Sequence, residues 1–114
     1  MPSPTPAPQQ PYDAAALADV LRIYADDPLD DGDAVLLVDD TTCLEVEGLA
    51  DAWDDVVRGN LAKALRGSAS RVVVAIARPG GDLRPGDFRL WRELHQELRG
   101  SDVELLPVKA LPAA

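Results

Sequence analysis

The chain has 114 residues, 46% of them hydrophobic and 27% charged, with a formal net charge of −9. That length suits one domain, since a single core occupies roughly 100 to 150 residues, and no apolar run reaches the about 20 residues that a membrane helix needs. The acidic balance and the scattered basic residues oppose binding to a phosphate backbone, so the expected partner is another protein, with no membrane and no nucleic acid.

Residues 1–11, MPSPTPAPQQP, are proline-rich and almost free of apolar side chains. Such a segment cannot bury enough surface to offset ordering, so it is expected to be a disordered tail, leaving 12–114 as a single α/β domain. Pro8 to Pro11 has the PxxP spacing of polyproline ligands, a spacing that any proline-rich segment produces readily. No basic region followed by an apolar stretch opens the chain, so a cytoplasmic location is expected. The single cysteine, Cys43, agrees with a reducing compartment and reads as a small apolar strand residue.

The spacing predicts a helix over 13–25, capped by Asp13, with Leu17, Val20, Leu21 and Tyr24 on one face and Asp26, Asp27 and Pro28 ending it. Gly32 marks a turn. The run 34–38, AVLLV, is apolar on both faces, as in an interior strand, whereas 43–47 alternates and reads as an edge strand. A long amphipathic helix is predicted over 49–66, with Leu49, Trp53, Val56, Val57, Leu61, Ala64 and Leu65 inward and Gly67 as its stop. The run 72–77 is a second interior strand. A loop with Pro79, Gly80, Gly81, Pro85 and Gly86 leads to a helix over 87–99, with Phe88, Trp91, Leu94 and Leu98 inward, and a strand over 103–107 follows. The element order is α-β-β-α-β-α-β, which gives a mixed four-stranded sheet of order 2-1-3-4 with three helices.

The only concentrated chemistry surrounds the first two strands. Asp39 and Asp40 lie in the turn, and Glu45 and Glu47 lie two residues apart on the second strand, so a tight hairpin gathers four carboxylates. Oxygen ligands of this kind suit Mg²⁺ or Mn²⁺; the same residues also make an ordinary solvated hairpin that needs no cofactor. The pattern of helix, strand with Asp, strand with a carboxylate pair, then helix resembles restriction-endonuclease-like nucleases. That resemblance implies a divalent-metal-dependent phosphodiester enzyme in degenerate form, because Glu47 stands where the family has its lysine. VLLVDD resembles the first strand of receiver domains, but no later strand ends in a phosphoacceptor Asp. LEVEGLADA resembles the Glu-Gly strand end of toprim domains, but no Asp-x-Asp follows. In composition and layout the chain resembles small α/β proteins of high-GC actinobacteria, a likeness that assigns no functional residue.

The loop 78–87, RPGGDLRPGD, lies where α/β sheets often hold anions, with Arg78 and Arg84 as candidate partners. It lacks phosphate-loop spacing, and Asp82 and Asp87 are expected to repel a phosphate. His95 has no nucleophile or carboxylate partner in the sequence and is expected to pack on Trp91. With no complete catalytic constellation, the sequence predicts a non-enzymatic protein-binding or regulatory module, with the metal-dependent enzyme as the alternative.

Overall fold

Val35, Leu36 and Leu37 lie at the centre of a sheet that is apolar on both faces, and the helices are placed to cover those faces. The computed structural model describes residues 14–39 and 41–114; the segment 1–11, Asp13, Asp40 and the Leu17 side chain lie outside the described residues. The elements are α1 (Ala14–Asp26), β1 (Ala34–Val38), β2 (Thr42–Val46), α2 (Asp55–Ser68), β3 (Arg71–Arg78), α3 (Pro85–Glu97), β4 (Glu104–Leu105) and β5 (Lys109–Pro112). A single 3₁₀ turn, Pro79–Gly81, separates β3 from α3.

The strand order is β2-β1-β3, with β4 and β5 both on the far side of β3. β1 runs antiparallel to β2 and to β3, whereas β4 and β5 run parallel to β3. α2 therefore carries the chain from β2 past β1 to β3, and α3 links β3 to its parallel neighbours. This is the expected 2-1-3-4 mixed sheet, with the fourth position shared by two short strands. The break between them has a local cause. Pro107 has no N–H to give the ladder, and the Leu106 carbonyl accepts from Trp91 Nε1 at 2.7 Å.

Strand pleating sorts the core into two layers. Ala34, Leu36, Val38, Val72, Val74 and Ile76 face Leu65 of α2 and Leu90 and Leu94 of α3. Val35, Leu37, Val73, Ala75, Ala77 and Leu111 face Val20 and Tyr24 of α1. Each fully buried aliphatic side chain contributes about 1.5 to 3 kcal/mol at most, so this double layer dominates stability.

Five sequence expectations are corrected. The second helix begins at Asp55, not at residue 49, because Asp54 caps it by accepting from Val57 N at 2.8 Å. The preceding turn is held elsewhere, with Gly48 N donating to Asp33 Oδ1 at 2.8 Å and Ala50 N to Gly32 O at 3.1 Å. Val56 is consequently exposed in the first helical turn, Ala64 is also exposed, and Trp53 precedes the helix, half-buried, its Nε1 donating to Glu93 at 2.9 Å. Phe88, expected inward, is 49% exposed.

Candidate functional site

The acidic hairpin is held by its own carboxylates. Asp39 has a φ of 53°, a conformation that Asp tolerates better than most residues. Its Oδ1 accepts from Ser70 N at 2.9 Å and Arg71 N at 2.8 Å, fastening the turn to the start of β3. Register places Glu45 opposite Val35 on the α1 face, where its Oε1 accepts from Tyr24 Oη at 2.5 Å. Burial, then the bonds to Glu45 and Cys43, hold the Tyr24 phenol well above its ordinary pKa. β2 ends at Val46, and Glu47 is exposed in the turn beyond it. Among the described residues no three His, Cys, Asp or Glu side chains are grouped to hold a metal ion.

The 78–87 loop, in contrast, carries the buried charges. Arg78, the last residue of β3, points to the α3 side of the sheet. Its Nε and Nη2 donate to Asp87 Oδ2 and Oδ1 at 2.9 and 2.6 Å, and its Nη1 donates to Asp31 at 3.0 Å. Asp31 also accepts from Arg84 Nη2 at 3.0 Å, so the three elements meeting here are cross-linked. Asp87 is fully buried in the first turn of α3 and accepts in addition from Arg84 N at 2.9 Å. Burial acts to raise the Asp87 pKa, but the bonds from Arg78 and Arg84 outweigh it and the net displacement is downward. The bond to Asp87 raises the Arg78 pKa, against a smaller effect of burial. Asp31 is lowered, first by its bond from Arg78. Arg78 and Asp87 satisfy one another, and the pair anchors α3 to the end of β3.

That anchor fixes what α3 presents outward. Pro85 opens the helix with its preset φ, Asp87 turns in, and Phe88 turns out. Two adjoining hollows of 570 and 150 Å³ share Phe88 and Trp91 as a common wall. Leu83, Pro85 and Arg92 line the larger, and Pro107 and Val108 line the smaller. Trp91 is immobilised by its bond to Leu106 O at 2.7 Å and by His95, whose ring stacks on it with centroids 5.0 Å apart. The expected packing of His95 on Trp91 is thus present. Arg92 is exposed at the rim and makes no ion pair among the described residues, whereas its neighbour Arg89 pairs with Glu93 at 3.5 Å.

The carboxylates singled out in the sequence are thus tied to an amide pair (Asp39) and a phenol (Glu45), while the groove on α3 was missed. Its sequence signal is a pair of aromatic residues three apart, Phe88 and Trp91, preceded by prolines in a loop. No family model, curated protein or solved structure matches the chain. Among the described residues no helix is long and apolar enough to cross a membrane.

Proposed function

We propose that the protein is a non-enzymatic, cytoplasmic protein-binding module that docks a short segment of another protein in the groove on α3. The observation that carries this reading is Phe88, a large apolar side chain 49% exposed on an anchored helix, with Leu83, Pro85, Trp91 and Pro107 around it. Large aromatic residues in concave, apolar surroundings are the usual energetic centres of interfaces, and contiguous exposed apolar surface marks interaction sites on monomeric proteins.

The occupant is identified by complementarity. Arg92 offers a guanidinium at the rim that is unpaired among the described residues, and a carboxylate is its natural bidentate partner. The segment that fits therefore carries a large apolar residue for the hollow beside Phe88 and an Asp or Glu within reach of Arg92. The test is selection of binders to the full chain from a random displayed peptide library. The expected result is an enriched motif that combines an apolar anchor with a nearby acid; enrichment without either element would contradict the proposal.

A further inference from the structure

A second surface lies on the opposite edge of the sheet and is built differently. Among the described residues β2 pairs with β1 along one side only and ends the sheet there. Thr42, Cys43, Leu44 and Glu45 are exposed, and Leu44 is 49% so although its pleat position faces the α2 layer. Beside it a groove of 210 Å³ runs between this edge strand and α2, lined by Leu44 and Val46 on one wall and Leu61, Ala64 and Leu65 on the other. A free strand edge next to an apolar groove is the geometry in which an extended segment adds to a sheet. The main chain supplies hydrogen bonds, and every second side chain drops into the groove.

We infer that the free edge of β2 accepts an added strand from another protein, apolar at alternate positions and carrying Lys or Arg between them. Charge decides the occupant. On the added strand the residues between the apolar ones fall on the face of Glu45, whose carboxylate stays at the edge held by Tyr24 Oη at 2.5 Å. Glu47 extends the same acidic end, exposed in the turn. A second copy pairing through its own β2 brings Glu45 of both chains onto one face, in a protein of net charge −9, and like charges across strands destabilise the pair. A basic segment meets those carboxylates with opposite sign. The acid on β2 protects the edge against its own kind while leaving the apolar side of the strand open.

The test titrates two blocked hexapeptides, one alternating Val and Lys and the other Val and Glu, into the isotope-labelled full chain. The lysine peptide is expected to perturb the amides of β2 and slow their hydrogen exchange, and the glutamate peptide to bind about tenfold more weakly. Leu44→Asp is expected to abolish the response with its far-UV dichroism unchanged, since Leu44 is half exposed, whereas Phe88→Ala is expected to leave it intact. Equal binding of both peptides, a response outside β2, or dimerisation of the chain through this edge in sedimentation would each overturn the inference. The Phe88 result separates this surface from the groove on α3, which stands or falls independently.

Discussion

Arg78 and Asp87 lie nine residues apart and form a two-point ion pair, at 2.9 and 2.6 Å, with side chains only 6% and 1% exposed. The pair joins the end of β3 to the first turn of α3, so the position of the neighbouring Phe88 depends on it. Removing Arg78 leaves the Asp87 carboxylate an uncompensated buried charge, which costs about 3 to 5 kcal/mol, whereas removing Asp87 leaves Arg78 its bond to Asp31 and costs less. In urea titrations Arg78→Met is expected to lose that much unfolding free energy or to fail to fold, and Asp87→Ala to lose part of it. The double replacement Arg78→Met with Asp87→Leu is expected to be less costly than either single change, because no lone charge remains. Additive losses in the three variants would show that the two residues act separately.

The pH dependence of stability is expected to have two separate limbs. Asp87 and Asp31 have depressed pKa values in the folded state. Their contribution is therefore present above the ordinary Asp value of about 4 and is lost as pH falls through the lower folded values. Tyr24 is displaced upward, so its contribution is present below the ordinary Tyr value of about 10 and is lost as pH rises beyond it. Thermal melting across pH is expected to fall at both ends. Tyr24→Phe should remove the alkaline limb alone, and an unchanged alkaline limb in that variant would contradict the assignment.

Asp39 holds two amides and a left-handed backbone. Asp39→Ala loses the acceptor and adds strain, a cost of about 1 to 2 kcal/mol. Asp39→Asn keeps both an acceptor oxygen and tolerance of that conformation, and is expected to cost less than half as much in denaturant titrations. Equal losses would mean that the negative charge, not the hydrogen bonds, is what the turn uses.

The interior strands were legible because AVLLV at 34–38 and the run 72–77 are short, rich in Val and apolar on both faces, which together favour an interior strand. The edge character of β2 followed from its alternation. Asp87 was illegible, since a carboxylate in a first helical turn ordinarily faces water; its burial depends on Arg78, which a turn containing two left-handed glycines brings back to the helix. The same blind spot shifted the helix face: 88, 91, 94 and 98 have helical spacing, but so do 87, 90, 94 and 98, and the second set is the buried one. The groove on α3 also needs Pro107 and Val108, which only the tertiary fold places beside Phe88. The start of α2 was read too early because Leu49 and Trp53 are apolar at helical spacing, while the cap, Asp54, lay inside that span.

Metal binding at the hairpin has a direct thermodynamic signature. A site formed by Asp39, Asp40, Glu45 and Glu47 is stabilised by RT ln(1 + [L]/Kd), about 2.7 kcal/mol at a hundredfold excess of ion over Kd. The protein-docking account expects millimolar Mn²⁺ to leave the melting temperature of the full chain unchanged. It also expects Glu45→Gln with Glu47→Gln to be neutral to within about 0.5 kcal/mol, since glutamine still accepts from Tyr24. A Mn²⁺-dependent rise that disappears in the double variant would place the metal-dependent enzyme first.

The most direct measurement is the affinity of a library-selected peptide for the chain and for two variants of the groove, read by calorimetry with the melting temperature followed in parallel. Phe88→Ala is expected to weaken binding by about thirtyfold or more, the level of an interface hot spot, with little change in melting because the ring is half exposed. Arg92→Glu is expected to shift selection from acidic to basic residues at the position beside the apolar anchor. Undiminished affinity in the Phe88 variant, with the same motif selected by the Arg92 variant, would contradict a docking role for the groove.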